Sequence, residues 1–170
     1  SRIRLFETGL CFIQEKSRKV DTLQAGILQK PVFAGAVCGD RFSPQWGMDS
    51  QRVDFFDMKA DVEALLDGAD RTIEWKVTEH PALHPGQCAC LLCEGEVVGW
   101  AGALHPAVQK KMGIDPRVYV FEIQQSAINE SRLPVFAPLS RFPEMRRDIA
   151  ILVDNAVSAA DLMRVIRTAA

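Results

Sequence analysis

The chain has 170 residues, 48% of them hydrophobic, and a formal net charge of −2, enough to bury one sizeable core or one domain and part of another. No apolar run approaches the roughly 20 residues that a helical bilayer span needs, and no basic, apolar start of the signal-peptide kind is present. The near-neutral balance excludes an overall field attracting nucleic acid, though not a local basic patch. Five cysteines without framework spacing read as reduced thiols of a cytosolic protein.

In chain order, "IRLFETGLCFI" (3–13) is rich in β-branched and aromatic residues and reads as a strand or a strand pair interrupted near Gly9. "VFAGAVCG" (32–39) is a second strand, and "DRFSPQWGMDSQ" (40–51), with its Pro, Gly, Ser and Asp, is a loop. "FFDMKADVEALLDG" (55–68) predicts a helix capped by Asp57, with Met58, Val62, Leu65 and Leu66 on one face and Gly68 as a left-handed stop. "TIEWKVTE" (72–79) alternates as a strand should. "QCACLLC" and "EVVGWAGAL" flank Glu94-Gly95, a two-residue connection of the kind that closes a hairpin.

"HPAVQKKMG" (105–113) predicts a short helix with Pro106 in its first turn and Gly113 past its end, and "VYVFEI" (118–123) a strand. "SRLPVFAPLSRFP" (131–143) is a proline-punctuated connector and "RDIAILVD" (147–154) a final strand. In "VSAADLMRVIRTAA" Ser158 is placed as a helix N-cap, with Asp161 at the third helical position and Leu162, Val165 and Ile166 along one face. This last helix starts properly and then stops without a C-cap, and the chain begins with Ser1 directly in strand-like sequence. The expectation is a piece of a longer polypeptide. Strands joined by hairpins, with few helices, predict an α+β fold around an antiparallel sheet.

"LHPGQCACLLCEGEVVGWAGALHP" (83–106) holds three cysteines and two histidines, yet its geometry is wrong for zinc. Strand alternation puts Cys88 and Cys90 on one face and Cys93 on the other, and Leu91-Leu92 is a strand spacer, not a knuckle. The expectation is buried thiols acting as small hydrophobes and no structural zinc. Gly95, Gly99 and Gly102 fit no phosphate-loop pattern and mark a bulge or close backbone packing within strands. No G-x-S-x-G is present. His105, before Pro106 at a helix start, caps or packs there, with a role as a base left open. Asp54, Asp57, Asp61 and Glu63 read as negative charge favoured at a helix N-terminus. In "SRFPEMRRDIAI" (140–151), Arg141, Arg146 and Arg147 are clustered. A solvated loop and a phosphate-backbone contact both stay open. On a strand Arg146 and Asp148 would share a face and could pair, while Arg147 and Asp148 would point apart.

Three of these stretches, "VDFFDMKADVEALL", "HPALHPGQCACLLCEGEVVGWAGALHP" and "SRFPEMRRDIAILVD", occur in an order that resembles β subunits of bacterial phenylalanyl-tRNA synthetase, with "RLFETGLCF" and "VYVFEI" in their places. The resemblance implies a class II synthetase-like, catalytic-like but inactive module over 1–138. It further implies that 139–170 is the truncated start of a ferredoxin-like anticodon-binding domain. The F-R-x-E and G-x-G-x-x-R signatures of active class II modules are missing, so no catalytic, cofactor-binding or metal residue carries over. Arg141, Arg146 and Arg147 remain the candidates for tRNA contact.

The implied role is a non-catalytic structural and interaction part of phenylalanine–tRNA ligase, a cytoplasmic α2β2 heterotetramer that attaches phenylalanine to its tRNA using ATP and magnesium. The chain would hold neither cofactor and would support the catalytic α subunit and tRNA binding, without contact to a membrane. Two other readings are an adenylate-forming activity retained by the chain itself and a free-standing RNA- or metal-binding module.

Overall fold

Hydrophobic alternation, with a tight turn at Glu94-Gly95, organises the strands of the chain into one antiparallel sheet. The computed structural model describes residues 1–14, 27–69, 72–129, 136, 138, 141–143 and 145–169. Its elements are β1 (Arg2–Gln14), β2 (Ile27–Gly39), α1 (Phe55–Leu66), β3 (Ile73–Val77), β4 (Leu83–Cys93), β5 (Glu96–Leu104), α2 (Pro106–Met112), β6 (Val118–Gln124), a 3-10 turn (Gln125–Ala127) and α3 (Ala159–Ala169). The chain divides into two units, Ser1–Pro134 and Val135–Ala170. Among the described residues no helix is long and apolar enough to cross a membrane.

The first unit is a six-stranded sheet in the order β1-β2-β6-β5-β4-β3, antiparallel throughout. The expected α+β class with an antiparallel sheet is therefore observed. β1 runs unbroken through Gly9, which pairs with Val32. Of the two readings of this stretch the single strand is the one observed, because a pleated strand accepts glycine wherever its neighbours hold the ladder. Glu94 (φ 52°) and Gly95 (φ 86°) both take the left-handed conformation, so the β4–β5 turn has the twist that suits a two-residue hairpin.

α1 covers one face of the sheet. Met58, Val62 and Leu66 are buried against Leu91, Ala101, Phe121 and Ile123, following the helical spacing read from the sequence. Its cap differs from the expected one. Asp54 is the N-cap: the Asp57 N–H donates to the Asp54 carboxylate (2.9 Å) and the Asp54 N–H to Asp57 (3.0 Å), a reciprocal capping box. Asp57 is thus the third helical residue, placed to accept from its cap, and it also pairs with Arg41 at 2.8 Å. Asp61 pairs with Arg4 of β1 and Glu63 with Lys59 one turn earlier. Gly68 does not adopt the left-handed conformation; the helix closes on Asp67 in the right-handed region, which any residue reaches without strain.

α2 follows the sequence closely, with Pro106 in its first turn and Gly113 left-handed (φ 67°), its N–H donating to the carbonyls of Gln109 and Lys110. In the second unit, the Asp161 N–H donates to the Ser158 hydroxyl (3.1 Å), which donates in turn to the Asp161 carboxylate (2.7 Å). The expected N-cap of α3 is in place. The expected strand over 147–154 is not formed. Ile149, Ile151 and Val153 alternate as a strand should, but they are solvent-exposed, and no described residue of this unit offers the ladder that a strand requires. Most of the connector 131–143 lies outside the described residues.

Candidate functional site

Each of the histidines precedes a proline, which has no N–H to donate. The next donor along the chain is the N–H two residues on, and the imidazole Nδ1 accepts it in all three places: from Ala82 to His80 at 3.3 Å, from Gly86 to His84 at 3.0 Å and from Ala107 to His105 at 3.1 Å. These are local turn and cap contacts of the kind that short polar side chains usually make. Between the two readings left open for His105, the geometry displays the cap.

No disulfide joins the cysteines. Cys93 lies in the core with Leu91. Cys88 and Cys90 pair with Gly102 and Trp100, whereas the intervening Ala101 and Ala103 face the core, so Cys88 and Cys90 are on the opposite face, as alternation required. The Cys90 thiol donates to the Lys76 carbonyl at 3.5 Å. Burial pushes the Cys88 thiol up from its ordinary value, and the neighbouring Cys90 and Glu79 act in the same direction. Cys88 is therefore a poor nucleophile at neutral pH.

The glycines of β5 do what close packing demands. A Cβ on Gly102 would sit 2.3 Å from the Gln87 carbonyl oxygen, and one on Gly99 2.5 Å from that of Glu122. Neither cradles a phosphate.

Arg141, Arg146 and Arg147 are all solvent-exposed. The Arg147 guanidinium reaches the Met145 sulfur at 4.0 Å. Among the described residues no ion pair involves Asp148. The anticipated Arg146–Asp148 pair is absent because the strand that would have aligned the two has not formed.

A concavity of about 620 Å³ opens on the sheet face opposite α1. Cross-strand register builds it: Glu7 pairs with Ala34, Ala34 with Glu122, Glu122 with Trp100 and Trp100 with Cys90, one transverse row of side chains over five strands. Ala34, Ala36 and Val120 form a low floor between Leu5 on one side and Leu104 and Trp100 on the other. The His80 ring lies 5.6 Å from that of Trp100, tilted by 44°. Glu7 and Glu122 are exposed and, among the described residues, pair with no cation. Reading of the sequence missed this trough. Alternation within "VYVFEI" and "RLFETG" gives each carboxylate its face, but only the strand pairing sets them on either side of Ala34.

The fold and its surfaces define an α+β sheet module with one helix packed on the core face and an open acidic trough on the other. The family model described as phenylalanyl tRNA synthetase beta chain CLM domain matches residues 1–125. The phenylalanine–tRNA ligase beta subunit of Pseudomonas syringae pv. tomato is 46% identical over 98% of this chain and 20% of its own length. That of Vibrio vulnificus is 44% identical over 95% of this chain and 20% of its own. The chain belongs to the phenylalanyl-tRNA synthetase β-chain family, and it spans about a fifth of the length of these relatives. A Giardia lamblia prolyl-tRNA synthetase overlays 74% of this chain and 27% of that one at 10% identity, with a TM-score of 0.39, too low to bear on the fold.

Proposed function

We propose that the chain is a non-catalytic part of the β subunit of phenylalanine–tRNA ligase, a class II enzyme that attaches phenylalanine to its tRNA using ATP and magnesium in the cytoplasm. In this reading residues 1–138 are a catalytic-like module that supports the α subunit in an α2β2 assembly. Residues 139–170 begin a ferredoxin-like anticodon-binding domain. The observation that carries the reading is the family match, which spans residues 1–125 and continues in the relatives over nearly the whole chain. The chemistry of the trough supports a module without catalysis. A nucleoside triphosphate requires cationic groups around its phosphates, whereas the trough's lining holds Glu7 and Glu122 and neither Lys nor Arg. Its residues do not fit ATP.

The isolated chain is expected to show no phenylalanine-dependent ATP–pyrophosphate exchange under conditions in which the complete α and β assembly is active. Exchange above background that disappears in His105→Ala would instead make the chain an enzyme in its own right.

The exposed apolar residues Ile149, Ile151 and Val153, with the polar cap of α3 beneath them in sequence, suit a domain start whose remaining strands would cover them. Arg141, Arg146 and Arg147 lie just before this segment, where a tRNA phosphate would meet clustered guanidiniums. Arg147→Ala in the complete assembly is expected to lower the salt slope of tRNA binding by about one unit. An unchanged slope with a lowered melting temperature would assign Arg147 to packing.

A further inference from the structure

The trough on the sheet face combines features that the proposed role leaves unused. Its floor is low because Ala34 and Ala36 stand on β2, between the edge strand β1 and β6, and its walls are apolar. Glu7 and Glu122 each pair across a strand with the same residue, Ala34, so their backbones are about 10 Å apart at the usual spacing between strands. A glutamate side chain is long enough for both carboxylates to reach a ligand held between these two strands. Trp100 stands directly beside Glu122 in the next strand and lines the trough, and an indole suits an apolar body or a cation. Lys76 continues the same row beyond Cys90 but is outside the lining. His80 accepts at Nδ1 from the Ala82 N–H at 3.3 Å, a local turn contact. The lining thus holds two carboxylates and neither Lys nor Arg.

We propose that this trough binds a small organic cation, an ammonium group on an aromatic or bulky apolar body that carries no carboxylate. The ammonium sits between Glu7 and Glu122 over Ala34, and the body lies along Ala36 and Val120 against Trp100. A volume of about 620 Å³ is of the size that small-molecule sites usually have, with apolar walls and a few polar groups fixing orientation. Charge sets the selectivity. Two carboxylates in a partly apolar recess attract a cation and repel an anion, and nothing in the lining receives a carboxylate. Amines are therefore preferred over the corresponding amino acids.

The test uses three probes with one body, 2-naphthylmethylammonium, 2-naphthylmethanol and 2-naphthoate, titrated into the complete protein that carries this chain, by calorimetry and ligand-observed NMR. The ammonium is expected to bind at least about tenfold more tightly than the alcohol, with the carboxylate weakest. Glu7→Gln combined with Glu122→Gln removes the charge at exposed positions and is expected to bring the ammonium down to the affinity of the alcohol without a change in melting temperature. Glu7→Lys with Glu122→Lys is expected to reverse the order, so that the carboxylate binds best. Three results would each overturn the proposal: no binding of the ammonium, equal binding of ammonium and alcohol, or an ammonium affinity that both double variants leave intact.

Discussion

Gly102→Val is expected to destabilise the sheet unit by about 3 kcal/mol or more, the upper range for a forced overpacking. The clash is with main chain: a Cβ at this position lies 2.3 Å from the Gln87 carbonyl oxygen and 3.0 Å from the Cys88 Cα. A flexible side chain could rotate away, but a carbonyl held in a central strand pair cannot. β4 and β5 must then separate where Cys88 faces Gly102, beside the register shift between Leu83 and Cys88. Gly9→Ala is the matched control, because a Cβ there meets nothing within 4 Å on the edge strand. Its effect should stay within about 0.5 kcal/mol. Urea unfolding followed by the circular dichroism of the strands measures both. A Gly102 variant as stable as the Gly9 one would show that the β4–β5 pair has room that the structure does not.

Met58→Ala is expected to cost about 2–4 kcal/mol, the transfer and cavity terms of a long buried side chain acting together. Met58 is fully buried, as is Val62 one turn later, and both pack on the face of the sheet that holds Leu91 and Ile123. Met58→Leu, which nearly conserves the volume, should lose less than about 1.5 kcal/mol. The contrast separates loss of packing from loss of helix, since Ala is the better helix former. If Met58→Ala and Met58→Leu unfold at the same denaturant concentration, α1 does not anchor the sheet in the way its burial implies.

The two predictions rest on features of different legibility. The face of α1 was readable because Met58, Val62, Leu65 and Leu66 follow the period of one helix, a property of contiguous residues. The cap was displaced by one turn, from Asp57 to Asp54, because both residues are acidic and either can accept from an N–H. Only the backbone of Asp54, extended at φ −126°, decides between them. The close approach at Gly102 was foreseen in kind, as strand glycine packing, but its partner Gln87 was not, since the register of β4 against β5 contains a shift.

By itself the sequence determined what adjacent residues decide: the Glu94-Gly95 hairpin, α2 between Pro106 and Gly113, the Ser158 cap of α3, and the opposite faces of Cys88 and Cys93. Each follows from backbone preference or alternation over a few residues. It also held the ordered stretches that mark the family. Only the tertiary structure decided that β6 inserts between β2 and β5, that 147–154 forms no strand, and that Glu7 and Glu122 flank one alanine. Strand pairing joins residues far apart in the chain through main-chain hydrogen bonds that every sequence offers alike. Which strands meet, and in which register, is therefore settled by the packing of the whole sheet and not by any stretch read alone.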